Sequence, residues 1–160
     1  MNRDEIINNV CKNEGDIVDA VIQDSDIIYI ESSLGRKISN IKNTGKLAWG
    51  LLIGGVVVAV TAIISSKTLS KGKSVLVSSL AAIPSLGVAI AYIGFPSTMS
   101  LLQIMIDSYK KNNGINGAKN IVLALRNNYY IAEFDREKMT LKKVSNTEEV
   151  KEVKISEIKS

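Results

Sequence analysis

The sequence predicts a mainly α membrane protein: a two-helix transmembrane hairpin flanked by a helical N-terminal arm and a small α+β C-terminal region. Two uncharged stretches carry this expectation, Leu47 to Ser66 (20 residues) and Ser74 to Ile106 (33 residues). Only seven residues, with Lys67, Lys71 and Lys73 among them, separate the two. A helix of about 20 mostly apolar residues crosses the roughly 30 Å hydrocarbon core of a bilayer, so each stretch is long enough. Lipid offers the backbone no hydrogen bonds, which leaves two helices joined by a short basic turn.

Three segments follow from this division. Residues 1–46 form an acidic helical arm with a basic juxtamembrane collar. Residues 47–96 form the hairpin, with spans at about 47–66 and 75–95, and residues 97–160 form an interfacial helix and a small α+β tail.

In the arm, Ile6, Ile7, Val10 and Cys11 recur on one helical face, with Asp4 and Glu5 in the first turn. Gly15 ends or bends that helix, and Ile17, Val18, Val21 and Ile22 repeat the spacing over 16–24. Residues 27–30 (IIYI) read either as a short strand or as a helix running into the collar. In the first span Trp49 stands where indole rings prefer the interface. Gly50, Gly54, Gly55 and Ala59 line a slim face, and Ala81, Ser85 and Ala89 line one in the second span. Such faces let helix backbones approach closely in lipid. Pro84 kinks the second span, and Gly94-Phe95-Pro96 ends it.

Beyond that break, Ser97 starts a helix that lays Leu101, Leu102, Met105, Ile106 and Tyr109 along a bilayer surface, or that simply extends the second span. Asn112-Asn113-Gly114 interrupts it, and residues 118–127 make a further short helix. Two strands, 129–134 and 139–144, flank a four-residue loop at Asp135–Lys138. The tail 147–159 places Val150, Val153 and Ile158 near one helical face, while Val153 and Ile155 also alternate as in a strand.

The net charge of +4 conceals a split. Residues 1–31 carry −6, residues 32–46 carry +4 through Arg36, Lys37, Lys42 and Lys46, and residues 107–160 carry +3. With Trp49 and the lysines of the turn (Lys67, Lys71 and Lys73), these four cations form a membrane-surface set, each worth about 1 kcal/mol against anionic lipid. Counting cations beside the spans places both tails in the cytoplasm.

Enzyme chemistry finds little to work with. The chain has no histidine and a single cysteine, Cys11, which excludes a Ser-His or Cys-His arrangement and a cysteine zinc cluster. Asp16, Asp19, Asp24 and Asp26 match no calcium-loop spacing. Neither span holds an ionisable group, so ion-coupled transport is not indicated. No cofactor, nucleic acid or small-molecule substrate is expected. The expected partners are the bilayer and a protein, the latter by partner binding or self-association. The function these observations imply is a non-enzymatic anchor, assembly or partner-binding subunit with same-side tails. The alternative is a holin-, toxin- or defence-effector-like pore that oligomerises through its glycine faces, or an immunity protein against one. Abundant Asn, Ile and Lys hint at an AT-rich bacterial genome.

Overall fold

The computed structural model describes residues 10–65, 84, 86–111 and 114–145. Among these, ten elements follow one another along the chain. The N-terminal half holds β1 (Val10–Cys11), α1 (Glu14–Ile22), β2 (Ile27–Glu31), α2 (Ser32–Lys42) and α3 (Lys46–Ser65). The C-terminal half holds α4 (Leu86–Ile93), α5 (Phe95–Lys111), α6 (Ile115–Asn127), β3 (Tyr129–Phe134) and β4 (Lys138–Lys143).

The first unit, β1–α1–β2, has local causes. Asn13 accepts from the Asp16 backbone N–H at 3.0 Å, and Asp16 accepts from that of Asn13 at 3.2 Å. This reciprocal cap starts α1 and satisfies two donors that every helix leaves open. Ile17, Val18 and Val21 then bury one face. The chain leaves α1 through Asp24, held at φ 56°, and enters β2. The expected helix through residues 4–11 lies mostly outside the described residues, but its last two members, Val10 and Cys11, are a strand. They pair in parallel with Tyr29 and Ile30, with α1 as the crossover.

A mixed four-stranded sheet, ordered β1-β2-β4-β3, unites the two ends of the chain. β4 sits between β2 and β3 and is antiparallel to both. Period-2 alternation points Ile28, Ile30, Met139 and Leu141 to the helices, and all four are buried. The β3–β4 hairpin closes over Asp135, whose carboxylate accepts from the backbone N–H of Glu137 and Lys138. Charge also ties the ends together. Lys111 pairs with Asp19 at 2.6 Å, Lys143 with Asp24 at 2.5 Å and Lys37 with Glu14 at 3.9 Å.

This architecture corrects the expected fold class. The chain is an α+β protein with six described helices around one sheet, not a two-helix membrane hairpin. Among the described residues one helix, α3, is long and apolar enough to cross a membrane. The second expected span, 75–95, lies partly outside the described residues. Its described end is the eight-residue α4, which stops at Ile93. Gly94 takes φ +78°, a conformation that L side chains resist, and α5 begins at Phe95.

The physical reason for the difference lies in α5. This segment was expected to lie on a bilayer, yet Leu101, Leu102, Ile104, Met105 and Ile106 are buried in protein together with Ser97, Thr98, Ser100 and Ser108. The helix is packed by α1, α2, α4 and α6, so it needs apolar residues on several sides. The uncharged part of α5 is therefore explained by a protein core. The multi-pass localisation and its cytoplasmic tails fall with the hairpin, because the described residues contain one candidate span and not two.

Candidate functional site

Two features stand out: a half-buried cationic junction and an unpartnered apolar helix face. At the junction, α2 ends at Lys42 and α6 ends at Asn127, each leaving carbonyls without a helical partner. The Lys42 ammonium donates to the carbonyls of Leu125, Arg126 and Tyr129 at 2.7, 3.0 and 2.6 Å. In return, the Arg126 guanidinium donates to the carbonyls of Ile41, Lys42 and Thr44. It also lies 4.2 Å from the centroid of the Trp49 ring, in cation–π geometry. Burial, followed by the charge of Arg126, pushes the Lys42 ammonium down to about 8.

These placements differ from the expected membrane-surface set. Lys42 is a helix cap, and Trp49 is buried at the start of α3 beneath Arg126. Lys37 reaches Glu14, while Arg36 and Lys46 are exposed. Lys67, Lys71 and Lys73 lie outside the described residues. Arg126 was missed at the sequence level, although a cation in the last turn of a helix is a familiar cap signal.

The apolar face belongs to α3. Trp49, Leu52, Val56, Ala59, Val60 and Ile63 turn inward. Leu47, Gly50, Leu51, Gly54, Val58, Thr61, Ala62 and Ser65 are all exposed. At 100° per residue these eight fall on one stripe, which runs the length of the helix and carries no charge. Leu47 is 91% exposed, Leu51 60% and Val58 57%. The neighbouring α4 packs on α3 through its buried Leu86, Ala89 and Ile93 and leaves Val88 and Tyr92 exposed; Phe95, at the start of α5, is exposed as well.

The expected helix-packing residues therefore separate. Ala59 and Ala89 are fully buried in the core. Gly55 is half-buried at the margin of the stripe, whereas Gly50 and Gly54 face outward with nothing within 4 Å of an added Cβ. Ala81 and Ser85 lie outside the described residues. The pore and toxin readings rested on a membrane hairpin with glycine faces, and among the described residues one helix alone is long and apolar enough to span a membrane.

A third feature is a cavity of about 600 Å³ beside β1, lined by Cys11, Asp16, Asp19, Asp26, Ile27 and Tyr29 among others. It does not assemble a reactive centre. Asp16 is engaged in the α1 cap and Asp19 with Lys111. Burial, reinforced by Asp16, pushes the Cys11 thiol up to about 11, which removes the thiolate that a nucleophile needs. Among the described residues no group of three His, Cys, Asp or Glu side chains is placed to hold a metal ion.

No family model, curated protein or solved structure matches this chain.

Proposed function

We propose that the protein is a non-enzymatic partner-binding subunit that docks another protein through the outer faces of α3 and α4. One observation carries the reading: the uncharged α3 stripe, from Leu47 to Ser65, is exposed although the helix is among the most apolar in the chain. Apolar surface is stabilised by roughly 25 cal/mol for each Å² removed from water, and contiguous patches of this kind mark interaction sites. The exposed aromatic side chains of Tyr92 and Phe95 suit the same role, since aromatic residues dominate interface energetics. The Lys42–Arg126–Trp49 junction fixes the N-terminal end of α3, so the face is presented by a rigid element rather than a loop.

The experiment places a photo-crosslinking amino acid at Leu51 in the full chain, with the same probe at Asp135 in the β3–β4 loop as control. The reading expects protein adducts from Leu51 and few from Asp135. Equal labelling at both positions, or no protein adduct at Leu51, would overturn it.

A further inference from the structure

The α3 stripe has a property that selects its occupant. Its large residues, Leu47, Leu51 and Val58, alternate along the helix with the small residues Gly50, Gly54, Thr61, Ala62 and Ser65. When two such stripes are laid antiparallel about a two-fold axis level with Val56, Leu47 falls opposite Ser65 and Val58 opposite Gly54. On the two edges of the stripe Leu51 falls beside Ala62, and Gly50 beside Thr61. Every large side chain meets a small one, and each pairing occurs twice by symmetry. A parallel alignment instead sets leucine against leucine and glycine against glycine, alternately crowded and empty.

Resting on the partner-binding reading above, we infer that the occupant of this face is a second copy of the chain, packed as an antiparallel α3–α3 pair. An isologous interface requires a patch complementary to itself, and this stripe has that character. Gly50 and Gly54 have open space where a side chain would stand, so each is a notch for a knob of the other copy. The stripe lacks charge, so no like-charge pair opposes the contact along it.

The size of the surface sets the strength. The stripe is about 27 Å long on a helix about 10–12 Å across, which gives about 300 Å² per copy. With the neighbouring side chains of α4, two copies bury about 800–1,000 Å², below the range of stable interfaces and within that of weak, transient ones. The dimer is therefore reversible and concentration-dependent.

The test uses the full chain in sedimentation velocity from micromolar to near-millimolar concentration. The wild type shifts from monomer to dimer over this range. Gly54→Leu puts a leucine against Val58 and weakens the dimer about tenfold or more, by the overpacking that Gly relieves. Because nothing in the monomer lies within 4 Å of that Cβ, Gly54→Leu retains the wild-type circular dichroism and melts no lower than the wild type, leucine being the better helix former. Orientation is read separately in a Cys11→Ala background. Mixed Leu47→Cys and Ser65→Cys chains form the heterodisulfide in preference to either homodisulfide. A wild type that stays monomeric, a dimer indifferent to Gly54→Leu, or preferred Leu47→Cys homodisulfides would each overturn the inference. A monomeric wild type that still yields Leu51 photo-adducts with a different protein overturns the second copy alone and leaves the partner-binding reading standing.

Discussion

Lys42 and Arg126 each close the other's helix. The Lys42 ammonium takes the last carbonyls of α6, and the Arg126 guanidinium takes those at the end of α2. Two like charges are thus held side by side, each stabilised by the negative end of a helix dipole and by oriented carbonyls. Lys42→Met keeps the aliphatic stem and removes the three bonds. It should lower stability by about 1.5–3 kcal/mol, the range for hydrogen bonds to a charged group. Urea denaturation measures this, and a loss below a few tenths of a kcal/mol would show that solvent caps α6 equally well.

The same lysine gives the fold a pH signature. Its folded pKa of about 8 lies below the ordinary value of 10.5, so the unfolded chain binds the extra proton between the two. Stability from this group is lowest below about pH 8 and rises as the pH climbs toward 10.5. Cys11 acts in the opposite sense. Its folded pKa of about 11 exceeds 9.0, so its contribution is present below pH 9 and lost toward pH 11. A Cys11→Ala background isolates the lysine. There, denaturant midpoints should rise between pH 8 and 10, and Lys42→Met should flatten the rise.

The fold's legibility in the sequence varied with the range of the cause. The capping pair Asn13 and Asp16 is three residues apart, and the β3–β4 turn is set by Asp135 beside its own strand. Local chemistry of that kind is written in the sequence, although Gly15, expected to end or bend a helix, lies in the first turn of α1. By contrast, an uncharged run is apolar whether its neighbour is lipid or protein, so α3 and α5 looked alike although α5 is enclosed by other helices. Gly94-Phe95-Pro96 did mark the true boundary between α4 and α5. The Lys42–Arg126 junction joins positions 84 residues apart, and no local pattern announces it. Of the site residues, Gly50 and Gly54 were visible as a stripe, but which way they face depends on what α3 packs against.

Two glycines should therefore respond oppositely to the same substitution. A Cβ at Gly35 would stand 2.8 Å from Cβ of Met139, where α2 crosses β4, and backbone must move to admit it. Gly35→Ala should destabilise by about 1–3 kcal/mol. Gly50→Ala adds its methyl to open space and improves helix propensity by roughly 0.5–1 kcal/mol. Thermal melts of the pair at low protein concentration test the contrast, and equal effects would contradict the packing of α2 on β4.

Cys11 should be slow to react in the native state. Its side chain is 6% exposed against Ile30's strand, and burial holds the thiol protonated. Labelling with a small maleimide at pH 7.5 should proceed at least about a hundredfold slower than in denaturant, the rate following the thiolate fraction and access. Native labelling at the denatured rate would mean that β1 detaches readily from β2.

Among the described residues two core hydroxyls have no hydrogen-bond partner, Oγ of Ser108 in α5 and Oγ1 of Thr140 in β4. A buried hydroxyl without a partner forfeits its hydration and receives nothing in exchange. Thr140→Val keeps the branched shape that a strand favours and removes the orphan group, so stability should rise by about 1 kcal/mol. Ser108→Ala should gain a similar amount, helped by alanine's higher helix propensity. The sites lie on different elements, so the two gains should add to within about 0.5 kcal/mol in the double variant. Chemical denaturation of the four chains decides the matter. A loss of stability at either position would mean that the hydroxyl is satisfied, by a water or by a neighbouring group, in the folded protein.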